Sequence, residues 1–158
     1  KGIKLFTSTI RRGSPDYLDP KLNCHSKLHE VQALIQAIEA GADEALMLDI
    51  NGFVSTCNST NFFIVKNGIV YTSTGKYCMN GITRQKIIDV CKSINIEVRE
   101  TNFSLFDVYA ADEAFVTGTF GGVTPVISVD GKLIENNSNI EFSATLEKHY
   151  QSLVESQI

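Results

Sequence analysis

The sequence lacks the marks of several large protein classes. No apolar run approaches the ~20 residues that a helix needs to cross a bilayer, so a membrane is not an expected partner. Positive charge is not in excess. Fourteen Lys and Arg stand against eighteen Asp and Glu, giving a net charge of −4 and a pI of about 5.3. That balance cannot neutralise a phosphate backbone, so nucleic acid is not an expected partner either. Cysteine is sparse. Cys24, Cys57, Cys78 and Cys91 form no CxxC pair, and this spacing reads as reduced thiols in a cytoplasmic protein. The sequence opens at Lys1 directly into Ile3-Lys4-Leu5-Phe6, with no signal or targeting segment visible in it. So abrupt a start suggests a piece of a longer polypeptide. GxSxG, HExxH and Walker patterns are missing, and the three histidines offer no base for a Ser or Cys nucleophile.

What is there reads as one α/β (α+β) domain. The chain has 158 residues, 43% hydrophobic and 20% charged, enough for a core that buries about 70% of the unfolded surface. Strands are expected at Ile3–Ile10, Ala45–Ile50, Asn61–Lys66, Ile69–Thr72, Ile96–Thr101, Glu113–Thr117 and Thr124–Val129. Asn51-Gly52, Asn67-Gly68 and Asp130-Gly131 supply turns between them. Helices are expected at Lys27–Ala40, Thr83–Ser93, Ser104–Tyr109 and Ser143–Glu155. In the first, Leu28, Val31, Leu34, Ile35 and Ile38 recur at helical spacing, as in an amphipathic helix that Gly41 then stops. Asn136–Asn139 reads as a polar loop. The result is a mixed, mostly hairpin-built sheet with flanking helices.

Three segments carry chemistry. His25 and His29, beside Cys24 and Glu30, have the spacing of a shared metal, but convincing further ligands are lacking and no metal is expected. Asn80-Gly81-Ile82-Thr83-Arg84 sits at a loop-to-helix junction. Free amides and a hydroxyl there form a cup for an anion. Thr117-Gly118-Thr119-Phe120-Gly121-Gly122 is a glycine-rich loop after a strand and could close on the same phosphate.

Taken in order, several stretches resemble the class IV aminotransferases, the fold type IV pyridoxal-phosphate enzymes. They are Arg11-Arg12-Gly13-Ser14-Pro15, Ala40-Gly41-Ala42-Asp43-Glu44-Ala45, Asn51-Gly52-Phe53-Val54, Asn61-Phe62-Phe63-Ile64-Val65, Gly81-Ile82-Thr83-Arg84, Ala111-Asp112-Glu113-Ala114-Phe115, and Thr117-Gly118-Thr119 with Thr124-Pro125-Val126. The family includes branched-chain aminotransferases, D-amino-acid transaminases and aminodeoxychorismate lyases. The resemblance implies the larger, C-terminal domain of a two-domain subunit, with residues 1–158 forming that one domain and the smaller N-terminal domain missing. It also implies pyridoxal 5′-phosphate as cofactor, an amino acid or 2-oxo acid as substrate, branched-chain-like transamination in the family's manner, and a homodimer.

The same resemblance exposes two substitutions. Family members hold pyridoxal phosphate as a Schiff base on a lysine and pair its ring nitrogen with a glutamate. Laid on Leu18-Asp19-Pro20-Lys21-Leu22, the lysine position falls on Asn23, eighteen residues before Gly41, and a tyrosine position near the ring falls on Lys27. The glutamate position, four residues after Gly52, falls on Thr56. An amide is not a nucleophilic amine, and a neutral hydroxyl cannot keep a pyridinium protonated as a carboxylate does. Lys21 and Lys27 stand as substitutes for the missing amine. Ile82, Thr83, Thr119 and Phe120 match the phosphate-binding loops, and Thr56 remains on the cofactor side. The implied alternatives are a transaminase with a relocated lysine and an altered member that holds a phosphate-bearing ligand without a Schiff base. Thr56, Asn58 and Thr60 would share one side if Ser55–Asn61 is extended.

Overall fold

Two Asx-Gly pairs in the left-handed region set the tight turns of the sheet. Asn67 and Gly68 have φ of 51° and 76°, and Asp130 and Gly131 have 53° and 79°. Both central residues of a type I′ turn need positive φ, and this turn matches the twist of the strands it joins. The third pair works differently. Asp49 accepts from the amides of Asn51 and Phe53 and so closes the turn around Gly52.

The computed structural model describes residues 2–16, 18–135 and 140–156. In chain order the elements are β1 (Ile3–Thr7), α1 (Leu28–Glu39), β2 (Glu44–Leu48), β3 (Val54–Cys57), β4 (Asn61–Lys66), β5 (Ile69–Thr72), α2 (Ile82–Ser93), β6 (Val98–Glu100), α3 (Leu105–Tyr109), β7 (Glu113–Gly118), β8 (Gly122–Val129), β9 (Lys132–Leu133) and α4 (Phe142–Glu155). The strands form one sheet in the order β3-β2-β1-β8-β7-β4-β5-β6, with β9 on β8. β1 runs parallel to β2 and β8, and β5 to β6; the remaining pairs are antiparallel. This is the expected mixed sheet, built largely from hairpins.

β2, β3, β4 and β7 are buried along nearly their whole length, because both faces of the sheet are covered. On one face Leu46, Phe62, Ile64, Val116 and Val126 pack with Val108 of α3. On the other, Phe63 and Phe115 stack with ring centroids 4.9 Å apart, under Ile87 and Ile88 of α2 and Leu146 of α4. Glu113 begins β7 beneath α4 and accepts from the amides of Phe142 and Ser143 at 2.9 and 3.1 Å. This buried carboxylate caps a helix that has no side-chain cap of its own. Asp107 likewise accepts from the amide and hydroxyl of Ser104 at the start of α3, as the Ser-x-x-Asp spacing predicts.

The amphipathic α1 turns most of its large apolar residues outward. Leu28 is 64%, Val31 50%, Ile35 49% and Ile38 61% exposed, Leu34 is half-buried, and Ala33 and Ala37 are fully buried. The two alanines pack with Ala45 and Met47 of β2. Small residues let the helix backbone approach the sheet, and the larger side chains are left on the far side. β3 and the short β9 are strands where no strand was expected, and β1 and β6 are shorter than predicted. The expected loop at Asn136–Asn139 lies outside the described residues.

Two outcomes follow from this packing. Ala37→Leu overfills the α1–β2 contact and should lower stability by about 1–3 kcal/mol, seen as a lower urea midpoint at constant m; an unchanged midpoint would place α1 elsewhere. The cysteines should differ in reactivity. Burial, with a smaller effect from nearby Glu44, pushes the Cys57 thiol well above its usual range, and burial pushes Cys91 up to about 11. At pH 8 only about one in a thousand molecules then carries a Cys91 thiolate. Ellman's reagent should label half-buried Cys24 quickly and the three buried thiols, Cys57, Cys78 and Cys91, only on unfolding; rapid labelling of any of the three in the native protein contradicts this.

Candidate functional site

The site is organised around the first residues of β4. Asn61 pairs in register with Thr117 of β7, so the two side chains project from the same face of the sheet. That face lies under α2. Asn61 Nδ2 donates to the carbonyl of Met79 at 2.9 Å. Gly81 comes so close that a Cβ there would sit 2.7 Å from Asn61 Oδ1. Any larger residue at 81 would have to displace the Asn61 amide, so glycine lets α2 begin directly over Asn61.

The first turn of α2 is open to an anion. Gly81 is the N-cap, with no side-chain cap and no acidic residue in the turn. Among the described residues nothing accepts from the backbone N–H groups of Ile82, Thr83 or Arg84. Thr83 is buried, whereas the Ile82 side chain is exposed, so Ile82 can offer only its amide. Thr117 Oγ1 is also buried without a hydrogen-bond partner among the described residues. The second loop arrives beside the first. A Cβ on Gly118 would meet Thr60 Cγ2 at 3.2 Å, so residues 119–121 leave β7 next to the residue that precedes Asn61. Thr119 and Phe120 are exposed there, and the Phe120 ring points fully outward. The two segments that the sequence assigns to a phosphate thus converge on Thr60 and Asn61.

The reactive side is less complete. Asn23 is exposed, and its Oδ1 accepts from Lys27 Nζ at 3.3 Å. Lys27 lines a cavity of about 60 Å³ together with Thr56, Asn58, Thr60, Asn61 and Met79. Lys21 borders a different depression, beside Asp49, Asn51 and Asn102. Thr56 is buried and donates its hydroxyl hydrogen to the carbonyl of Thr60 at 2.7 Å.

The polar stretch before β4 largely satisfies itself. β3 ends at Cys57 and the chain turns back, so Thr56, Asn58 and Thr60 do not form the expected extended row. Asn58 Oδ1 accepts from the Ala45 amide at 2.8 Å. The Ser59 amide and the hydroxyls of Ser59 and Thr60 all donate to buried Glu44. Glu44 and Arg12 are the structural residues here that spacing did not reveal. Arg12 is buried and donates to Glu30 at 2.7 Å and to the carbonyls of Pro20 and Tyr77, each at 3.2 Å. Glu30 is thereby committed. No group of three or more metal-type side chains occurs among the described residues, and His25 and His29 are exposed.

These residues fit the phosphate end of pyridoxal phosphate, through unpaired amides and a buried hydroxyl. At Asn23 and Thr56 they offer an amide and an internally bonded hydroxyl. Because Arg12 ties three segments to this site, Arg12→Met should cost about 3 kcal/mol in urea unfolding. Arg12→Lys should recover little of that loss, since an ammonium cannot reach three separated oxygens as a guanidinium fork does. Full recovery by lysine would reduce Arg12 to a simple charge.

Comparison with known proteins agrees with this geometry. The family model for amino-transferase class IV matches residues 1–129. The branched-chain-amino-acid aminotransferase-like protein 1 of Arabidopsis thaliana is 38% identical over 154 residues, which cover 98% of this chain and 28% of that protein. The branched-chain-amino-acid aminotransferase of Pseudomonas aeruginosa is 37% identical over 155 residues, 98% of this chain and 50% of that one. Among solved structures, a branched-chain amino acid aminotransferase complexed with N-(5′-phosphopyridoxyl)-L-glutamate superimposes with a TM-score of 0.93 at 31% identity, over 99% of this chain and 54% of that one. A Brucella abortus aminotransferase bound to pyridoxal phosphate gives a TM-score of 0.91 at 26% identity, over 98% of this chain and 55% of that one. The chain therefore spans about half or less of each of these relatives. Its fold and its matched sequence together place it in the pyridoxal-phosphate-dependent class IV amino-transferase family.

Proposed function

We propose that this chain is the cofactor-holding domain of an aminotransferase that moves the amino group between a branched-chain-like amino acid and a 2-oxo acid. The observation that carries the proposal is the set of unpaired amides at the start of α2, seated close over Asn61 at Gly81. The amides of Ile82 and Thr83, the Thr83 hydroxyl and Thr119 would hold the phosphate of pyridoxal 5′-phosphate and orient the rest of the molecule toward the Thr56–Asn61 turn. Bound there, pyridoxal phosphate supplies an electron sink for negative charge at the substrate's α carbon. Thr56 cannot keep a ring nitrogen protonated, so this chain's own contribution to that sink is weak.

Asn23 and Thr56 favour a second reading, in which the domain holds a phosphate-bearing ligand without turnover. In both readings the smaller domain of the family and a second copy of the chain complete the pocket. The outward apolar stripe of α1 is the surface that supports such an assembly. No helix among the described residues is long and apolar enough to cross a membrane, and the proposal places the work in the cytoplasm.

The test uses Ile82→Pro. Ile82 is the first residue of α2 and follows Gly81 at φ −61°, ψ 149°, a geometry that tolerates proline while deleting one N–H. Losing a hydrogen bond to a charged group costs about 1.5–3 kcal/mol. Pyridoxal-phosphate affinity, read by fluorescence titration, should therefore fall about 10- to 100-fold. Unchanged affinity would remove α2 from the site. Incubating the loaded protein with leucine then separates the two readings: pyridoxamine phosphate forms if the amino group is transferred and does not form if the ligand is merely held.

A further inference from the structure

We propose that Arg84 supplies, from beneath the start of α2, positive charge that the cup's own donors lack, and that it acts on a bound phosphate through its electrostatic field. The proposal rests on the phosphate-anchored reading above and adds the group that sets the charge of that site.

Charge is the first consideration. Thr83, Thr117 and Thr119 bring hydroxyls to the cup, and Ile82 offers only its amide. A helix start contributes about half an elementary charge, whereas a phosphate monoester carries about −1.5 to −2 at neutral pH. Those donors leave most of the negative charge unmatched.

Arg84 is placed to offset part of that deficit. It is the third residue of α2, in the turn whose amides are open. Its side chain is only 3% exposed, so water screens the guanidinium little. Nη2 donates to the Ser73 carbonyl at 2.8 Å and to Glu100 Oε1 at 2.9 Å. Nε is buried with no partner among the described residues. From there the contacts lead back to the cup. Ser73 Oγ lies 3.6 Å from Cys78 Sγ, and Asn61, on which Gly81 is seated, brings its Nδ2 to 3.9 Å from the same sulfur.

The ion pair is lopsided. Glu100 lies on β6 at the edge of the sheet, and its side chain is 46% exposed. Solvent screens that carboxylate far more than it screens the guanidinium, so a net positive potential persists at the start of α2. As a structural device the arrangement is a poor one. A cation in the first turn opposes the helix dipole, and a buried charge paired with a half-exposed partner gains little. An anion seated on the open amides offsets both penalties. A local rule broken without structural gain is where function is expected.

A mechanical clamp and an electric field respond differently to loss of each partner. A clamp loosens when either side is neutralised. A field weakens phosphate binding when the cation goes and strengthens it when the carboxylate goes.

The experiment titrates pyridoxal phosphate, by fluorescence at low ionic strength, into the natural polypeptide carrying this sequence and into three variants whose folding is checked by thermal unfolding. Arg84→Met should weaken binding roughly 10-fold or more. Arg84→Lys, which keeps the charge but not the fork, should recover most of that loss. Glu100→Gln should tighten binding by about 2- to 5-fold, a gain that disappears in 0.5 M salt as roughly one Debye length shrinks to a few ångströms. If Arg84→Met fails to fold, Glu100→Gln decides alone, since its side chain is half exposed. Unchanged or weaker binding in Glu100→Gln overturns the field, as does Arg84→Lys binding no better than Arg84→Met; with Ile82→Pro still weakening binding, the phosphate-anchored reading stands. Binding that is absent, or indifferent to Ile82→Pro, overturns both.

Discussion

The buried guanidinium of Arg12 is the contact on which the geometry of the site depends. The stretch between β1 and α1 has no regular structure to hold it, because Gly13, Pro15 and Pro20 interrupt it. Arg12 compensates by bonding the carbonyl of Pro20 in that stretch, Glu30 in the first turn of α1, and the carbonyl of Tyr77 in the loop before α2. Ser55 reaches the same Tyr77 carbonyl from β3 at 3.0 Å. One planar cation thus fixes the relative positions of the connector, α1 and the loop that leads into α2. Lysine has one donor centre and could not join all three.

The other half of the site is set by buried carboxylates used as structural acceptors. Glu44 gathers the Ser59 amide and the hydroxyls of Ser59 and Thr60, which fixes the turn leading into Asn61. Glu113 caps α4 and anchors the start of β7, four residues before Thr117. Such carboxylates are tolerated inside because several donors surround each one. Asn61 and Thr117 then lie opposite each other on a rigid pair of strands. A site built on strands holds its donors more closely than one built on loops.

Sequence reasoning recovered the frame where local chemistry decides it. Asn67-Gly68 and Asp130-Gly131 formed the predicted turns, β4 and β5 matched to the residue, and α2 and α4 began one residue early. The orientation of α1 was not recoverable. Its periodicity marks an apolar stripe at Leu28, Val31, Ile35 and Ile38, but the period does not say whether that stripe meets this domain or something else. The alanines at 33 and 37 were the inward face, and small residues carry little hydrophobic signal. β3 was obscured because Ser55, Thr56 and Cys57 are small and polar, and their burial depends on long-range neighbours. The convergence of residues 81–83 and 118–119 was expected from motif order. Its geometric cause, the close seating of Gly81 on Asn61 and of Gly118 on Thr60, required three dimensions. Arg12 and Glu44 escaped notice because an isolated charged residue in a sequence does not declare its partners.

The substitution at Thr56 bears on more than chemistry. A carboxylate at that buried place would need a cation beside it, and a ring nitrogen of a bound cofactor could supply one. Without the cofactor it would be a buried charge with no compensation, which is costly. Thr56 is neutral, and its hydroxyl hydrogen is already committed to Thr60 in the turn itself. The floor of the pocket is therefore satisfied whether or not a ligand is present. Asn23 has a related effect, because its amide introduces no charge to be matched. These two neutral side chains leave the fold of this domain independent of what occupies its pocket, while the amides at the start of α2 and the Thr117 hydroxyl stay unpaired nearby among the described residues. Such donors suit an anion, and neither Asn23 nor Thr56 has a nucleophilic amine to offer it.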